Sequence, residues 1–204
     1  MSNKKYGMSF TTGGLFHRES VEVATLYLDL GDWSSVRDKV IAENLLQTRA
    51  MSTLKRNCRE ITSRLKMLNS DEIRLLIDGD SQEQAYLLWI SVCRRYSFIA
   101  DFSVEVLRER YLTLKTDLTH EDFDSFFNQK AEWHDELDTL TPATVSKLRQ
   151  VLFKILREAG LLTTDCIINN ATLSSRLLSV VGGRNSRDLS YFPIFESDLK
   201  RMTQ

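Results

Sequence analysis

Along most of the chain, apolar residues recur every three or four positions, the spacing that places side chains on one face of an α-helix. The pattern is clearest over residues 49–68. If Ser52 or Thr53 caps its start, this segment is predicted to form an amphipathic helix that ends near Asn69. Its apolar face consists of Leu54, Cys58, Ile61, Leu65 and Leu68.

Comparable apolar stripes predict helices on both sides of this segment. Ser81 with Gln84 and Thr141 with Pro142 are typical helix starts, and Gly160 is a typical helix end. The helices are expected at about residues 15–29, 33–45, 70–78, 81–96, 98–114, 119–138, 141–160 and 174–181.

The fold class that follows is mainly α. With only 8 Gly and 2 Pro in 204 residues, the chain lacks the turn residues that many short strands would need. A β-prone run at residues 163–168 could form at most a short β-wing near the C-terminus.

The helices are predicted to form two small helical subdomains, each resembling a helix-turn-helix unit. In such a unit two helices precede the one that enters the major groove, and here the basic segment is the third helix. The expected divisions are a flexible N-terminus (1–10), an N-terminal subdomain (11–80), a C-terminal subdomain (81–181) and a tail (182–204) whose aromatic residues attach it to the body or dock a partner.

Charge sets the amphipathic helix of residues 49–68 apart from the rest of the chain. The protein has a net charge of −1, so binding to a polyanion would have to come from a local patch. This segment carries six basic side chains and one acidic one, Glu60. The candidate phosphate contacts are Arg49, Lys55, Arg56, Arg59, Arg64 and Lys66.

A second basic helix is expected after Thr141-Pro142. Its cations outnumber its single acid, Glu158, by three. Lys147, Arg149 and Lys154 are therefore predicted to extend the nucleic-acid footprint. Contacts of this kind, made to phosphates, give affinity without sequence choice.

Between the two basic helices, residues 117–138 are strongly acidic, with eight carboxylates and one lysine. His134 lies among these carboxylates, but its spacing from them matches no metal-ligand motif. We interpret the segment as a solvated face, or as one that repels DNA and so orients it on the other side.

No catalytic motif is recognisable in the sequence. The Thr-Thr-Gly-Gly stretch at residues 11–14 lacks the Lys-Ser/Thr ending of a phosphate-binding P-loop, and no strand is predicted before it. Cys58, Cys93 and Cys166 stand far apart, as expected for buried thiols in a reducing compartment. We therefore expect no enzymatic activity, no metal and no cofactor.

Hydropathy predicts a soluble, cytoplasmic protein that does not enter a membrane. The first residues have no apolar stretch behind them, so no signal peptide is expected. The longest charge-free apolar run is residues 85–93, roughly half the length that a transmembrane helix needs.

The order and spacing of several short motifs resemble the BrxA family of bacteriophage exclusion (BREX) systems over roughly residues 8–195. The motifs are Thr12-Gly13-Gly14, Asp32-Trp33, Glu43-Asn44-Leu45-Leu46-Gln47, Ser52 with Lys55-Arg56, Leu88-Trp89 with Cys93-Arg94, Asp101-Phe102, and residues 147–162.

This resemblance implies a small helical accessory protein encoded beside a methyltransferase, an AAA+ ATPase and a phosphatase-like protein. Such systems methylate host DNA and block phage replication. The family has also been labelled an inner-membrane protein, which conflicts with the hydropathy, and compared with RNA-binding antitermination factors of the NusB type.

Resemblance and charge pattern together favour a non-catalytic protein that binds duplex DNA, with RNA as a possible ligand. Two alternatives stay open. One is an interaction or scaffold subunit that docks on other BREX proteins, such as the methyltransferase or the ATPase. The other is a NusB-like RNA-binding protein.

Overall fold

The structure is a computed structural model that describes residues 6–182 and 186–202. It is mainly helical, which confirms the predicted fold class. The helices are α1 (His17–Leu30), α2 (Trp33–Ala42), α3 (Met51–Leu65), α4 (Ser70–Asp78), α5 (Ser81–Arg95), α6 (Ser97–Phe102), α7 (Glu109–Leu112), α8 (His120–Ala131), α9 (Asp135–Asp138), α10 (Pro142–Glu158), α11 (Ser175–Val181) and α12 (Glu196–Met202), with a π-helical turn at Ser103–Arg108 and a 3-10 helix at Ser186–Tyr191.

Several helices begin where local sequence signals predict. Thr119 and Thr141 accept hydrogen bonds from the first-turn amides of α8 and α10, and Pro142 opens α10. Gly160 follows α10 with a φ of 72°, a left-handed conformation that glycine adopts without strain. These signals act within one helical turn, so tertiary contacts do not override them.

Other caps differ from the expected residues by one turn or less. α3 begins after Ala50 without a side-chain cap, and Ser52 and Thr53 lie inside the helix. Asn69, expected to end the basic helix, instead caps α4. Ser81 was expected to cap the start of α5, but Asp80 does so: its carboxylate accepts hydrogen bonds from the amides of Gln82 and Glu83.

The apolar run at residues 85–93 forms the central helix of the fold. Every residue of this run in α5 is buried, and the helix contacts α1, α3, α4, α6 and α10. A helix that is apolar on all sides is stable only when neighbours surround it. Within the described residues, no helix is both long and apolar enough to cross a membrane.

One continuous core joins the N-terminal and C-terminal helices. Residues 1–10 were expected to be flexible, but Tyr6 and Phe10 are buried in this core because both rings pack on Phe98 of α6; residues 1–5 lie outside the described part. In the tail, Tyr191 and Phe192 are buried as well, and the indole of Trp89 donates a hydrogen bond to the carbonyl of Tyr191 (3.0 Å).

The predicted β-wing is reduced to two isolated antiparallel bridges, Asp117 to Ile167 and Leu162 to Ile168. Cys166 interrupts the run with a φ of 61°, so the backbone turns before a strand can extend. The acidic helix predicted to reach residue 138 also breaks: α8 ends at Ala131, and the short α9 follows.

Helices α1, α2 and α3 contact one another and carry the basic segment on the outside of the molecule. This is the order of helices that the sequence predicts for the N-terminal unit. Whether the unit docks on DNA as a helix-turn-helix stays a prediction.

Candidate nucleic-acid interface

The exposed side of α3 carries a compact group of cations. Successive residues of an α-helix differ by about 100°, so Lys55, Arg59 and Lys66 project within about 40° of one another and Arg56 lies about 100° from Lys55. All four are exposed, as is Arg49 just before the helix. We call Arg49, Lys55, Arg56, Arg59 and Lys66 the basic face.

None of the basic-face residues forms an ion pair with another described residue. The helix rises about 1.5 Å per residue, so the face extends about 17 Å from Lys55 to Lys66. A row of cations without ion-pair partners is free to approach a polyanion without first breaking a salt bridge.

The only carboxylate of α3 is turned away from this face. The Glu60 side chain is 12% exposed and accepts hydrogen bonds from Arg64 (2.7 Å) and from the Tyr96 hydroxyl. Burial together with the Glu60 charge raises the pKa of Tyr96, so its hydroxyl keeps its proton and acts as a donor. The outer surface of α3 therefore carries positive charge alone.

Arg64 does not belong to the basic face, and the predicted phosphate contact does not fit its position. It lies nine residues after Lys55, so it projects from the opposite side of the helix, and its side chain is 2% exposed. Besides the bond to Glu60, its guanidinium donates to the carbonyl of Gly14 (2.6 Å). Arg64 fastens α3 to the loop before α1.

Sequence reasoning missed one cation beside the basic face. Arg37 on α2 is exposed and lies near Cys58 on α3; burial raises the pKa of the Cys58 thiol, and the Arg37 charge partly opposes that rise. Arg37 was overlooked because Asp38 follows it, and α2 has only one more basic residue than acidic residues. Only the packing of α2 against α3 brings it to this surface.

The second basic helix presents its predicted cations differently. Lys147 is exposed, whereas Arg149 is paired with Asp124 on α8 and is 23% exposed. Lys154 lies 3.6 Å from Glu158 one turn along α10. The acidic segment thus neutralises Arg149, and α10 offers no continuous row of unpaired cations.

The Thr-Thr-Gly-Gly loop lies between α3 and α10. Arg64 of α3 holds the Gly14 carbonyl, and Glu158 of α10 accepts from the Leu15 amide (2.5 Å). A Cβ atom at Gly14 would lie 2.2 Å from the Glu158 carboxylate, so a larger residue here would displace the carboxylate that holds the Leu15 amide. Because Arg64 points toward this loop, the basic face points away from it, and α10 does not extend that face.

The acidic segment has its own exposed feature. Trp133, just after α8, is 81% exposed, and exposed carboxylates flank it at Glu132 and Asp135. His134 instead stacks on Tyr6 with 3.9 Å between the ring centroids. Among the described residues, no group of three or more His, Cys, Asp or Glu side chains is placed to hold a metal ion.

Comparison with known proteins identifies the family. The BrxA family model matches residues 4–183, which is most of the chain. The chain belongs to the BrxA family. The residues that carried the resemblance, from the Gly13-Gly14 loop to the end of α10, all lie within the matched region.

Curated relatives agree with this assignment. A BREX protein BrxA from Escherichia coli O9:H4 (strain HS) is 28% identical over 74% of this chain and 71% of its own length. One from Bacillus cereus (strain H3081.97) is 32% identical over 62% of this chain and 64% of its own length. One from Paramagnetospirillum magneticum is 24% identical over 92% of this chain and 95% of its own length.

The fold also matches a solved structure. The crystal structure of an uncharacterized protein from Magnetospirillum magneticum superposes with a TM-score of 0.79 over 93% of this chain and 98% of its own, at 22% identity. At this identity the match establishes the shared helical fold and nothing about the ligand. The shared helical fold thus spans almost the entire chain.

Proposed function

We propose that this chain is a cytoplasmic, non-catalytic accessory protein of a BREX phage-defence system, and that it binds duplex DNA through the basic face of α3. Its curated relatives are BREX proteins. The observation that carries the proposal is the group of exposed, unpaired cations on one side of α3. Its other BREX partners would include the methyltransferase or the ATPase of the same system.

The chemistry of this face favours phosphate contact with little sequence choice. Lysine and arginine side chains on a convex helix surface neutralise backbone charge, and each phosphate contact steepens the dependence of log K on log salt by about 0.9. Five basic-face residues would give a slope of about −4.5 if each neutralises one phosphate. Asn57 lies on this helix, but it is partly buried and gives no reason to expect base reading.

A mobility-shift titration of a duplex at two salt concentrations tests the proposal. Reversal of two basic-face charges in the variant Arg56→Glu/Arg59→Glu should abolish binding. The matched control is Arg74→Glu/Arg201→Glu, which reverses two exposed arginines elsewhere, on α4 and α12. The control should bind nearly as tightly as the parent protein.

The outcomes separate the alternatives. Binding that survives the α3 double reversal would reject this helix as the contact surface. Equal loss in both double variants would point to the overall charge of the protein. Replacing the duplex with single-stranded RNA of the same length tests the NusB-like alternative, because tighter RNA binding through the same arginines would reassign the ligand.

A second candidate function is an interaction subunit that docks on another BREX protein. The exposed indole of Trp133 favours it, since tryptophan is enriched among residues that dominate protein interfaces. Co-purification of the chain with the other subunits of its own system, with and without Trp133→Ala, tests this role. Loss of a specific subunit in the variant, together with no DNA binding by the parent, would favour the scaffold function.

A further inference from the structure

A cavity of about 370 Å³ lies at the C-terminal end of α5. Its walls come from four segments: Tyr6–Gly7 of the N-terminus, the end of α5, the start of α6 and the 3-10 helix of the tail. This volume falls within the range of small-ligand sites, which is about 300–1,000 Å³.

Three arginines line this cavity: Arg94, Arg95 and Arg187. The C-terminal dipole of α5 accounts for a basic residue at its end, but not for Arg187, which arrives from the tail. Arg95 and Arg187 are exposed, and neither forms an ion pair with another described residue. Two guanidinium groups that have no ion-pair partner among the described residues therefore line one cavity.

Arg94, in contrast, forms hydrogen bonds within the protein. Its guanidinium bonds Glu72 (2.6 Å), Asp188 (2.6 Å) and the carbonyl of Met67 (2.9 Å). Both carboxylates are fully buried. These bonds hold α4, α5 and the tail together. They also fix the part of the cavity wall that carries Arg95 and Arg187.

Among the described residues that line the cavity, the one carboxylate is already partnered. Asp101 accepts a hydrogen bond from the Tyr6 hydroxyl (2.7 Å) and lies 3.6 Å from the ammonium of Lys130. The Tyr6 hydroxyl and the Lys130 ammonium therefore largely satisfy the Asp101 carboxylate. The cavity therefore has spare positive charge and no spare carboxylate, which selects an anion.

We propose that this cavity binds a phosphate monoester through Arg95 and Arg187. A monoester carries a charge of about −1.5 to −2 at neutral pH and three acceptor oxygens, which two planar guanidinium groups can bond in a bidentate manner. The source of the group is either a free mononucleotide or the 5′-phosphorylated end of a nucleic acid. The cavity accommodates a group of this size, and the rest of a nucleic acid would extend into solvent.

Isothermal titration with adenosine 5′-monophosphate, with adenosine as the uncharged control, tests the first source. A short single strand with a 5′-phosphate, compared with the same strand ending in a 5′-hydroxyl, tests the second. The variant Arg95→Gln/Arg187→Gln should weaken the phosphorylated probe at least tenfold. Its circular dichroism and melting temperature should stay near those of the parent, since Arg94 is untouched.

The matched control is Arg56→Gln/Arg59→Gln, which removes the same number of charges from the basic face. This control should keep the affinity for adenosine 5′-monophosphate, so this probe distinguishes the cavity from the α3 surface. Absence of binding by both phosphorylated probes at millimolar concentration would overturn the proposal. So would equally tight binding of adenosine, or a loss of adenosine 5′-monophosphate affinity shared by both double variants.

Discussion

In the sequence, α3 and α10 look alike, since each has an apolar stripe and an excess of cations. In the structure, the outer cations of α3 are unpaired among the described residues, whereas two cations of α10 form ion pairs. The outer residues of α3 have no ion-pair partners among the described residues, and its one acid is drawn inward by Arg64 and Tyr96. On α10, Arg149 is paired with Asp124 and Lys154 with Glu158. The net charge of a helix therefore does not give the charge that it offers to a ligand.

The first prediction separates the two roles of arginine within α3. Arg64→Met should lower the free energy of unfolding by about 3 kcal/mol, because it leaves the half-buried Glu60 and the Gly14 carbonyl without their donor. Arg59→Met, on the basic face, should change it by less than about 0.5 kcal/mol. Urea denaturation of both variants measures the difference, and a loss in Arg64→Met as small as that expected for Arg59→Met would mean that Arg64 is not structural.

The second prediction sets the two helices against each other in DNA binding. Lys55→Ala/Arg59→Ala should reduce the slope of log K against log salt by about 1.8, because two phosphate contacts are lost. Lys147→Ala/Lys154→Ala should leave the slope nearly unchanged. Fluorescence anisotropy of a labelled duplex over a salt series gives both slopes, and an equal reduction would show that α10 shares the footprint.

These contrasts also show which features of the structure could be predicted from the sequence. The caps at Thr119 and Thr141 and the stop at Gly160 were predictable, since each depends on neighbours within one turn. The inward direction of Arg64 was also predictable, because its position nine residues after Lys55 places it on the opposite side of an ideal helix.

The pairing of Arg149 was not predictable, because Asp124 lies 25 residues away on a different helix. The cavity lined by Arg95 and Arg187 was not predictable either, because it forms only where the tail packs against the end of α5. Residues 6–10 were assigned to a flexible terminus for a related reason, since the core that receives Tyr6 and Phe10 is assembled from distant helices. Local pattern gives the elements, and long-range packing decides which side chains remain free.

A third prediction concerns a carboxylate close to the basic face. Asp32 caps α2, and hydrogen bonds from Ser35 lower its pKa, with a smaller contribution from the Lys66 charge. It is therefore ionised at neutral pH and opposes polyanion binding. Its cap contributes stability above its ordinary pKa, and that contribution is lost as the pH falls through the lowered value.

Asp32→Asn keeps the cap, since asparagine is an equally good N-cap residue, but removes the charge. We expect DNA affinity at neutral pH to rise about twofold, the size of a single exposed charge interaction. The melting temperature should change little. The gain should shrink in an anisotropy titration at high salt, and a decrease in affinity would place the ligand elsewhere.

The variant Asp124→Asn is expected to change DNA affinity least, and it tests the comparison of α3 with α10 most directly. Asp124→Asn releases Arg149 from its ion pair and makes α10 resemble α3, with an additional unpaired cation. If DNA lies on the basic face alone, the new cation points to a surface that the duplex does not reach, and the affinity should be unchanged. If α10 contributes to binding in the parent protein, the released Arg149 should strengthen it several-fold. Because the pair is partly exposed, its loss should cost less than about 1 kcal/mol of stability, so a change in affinity in this variant would report contact and not unfolding.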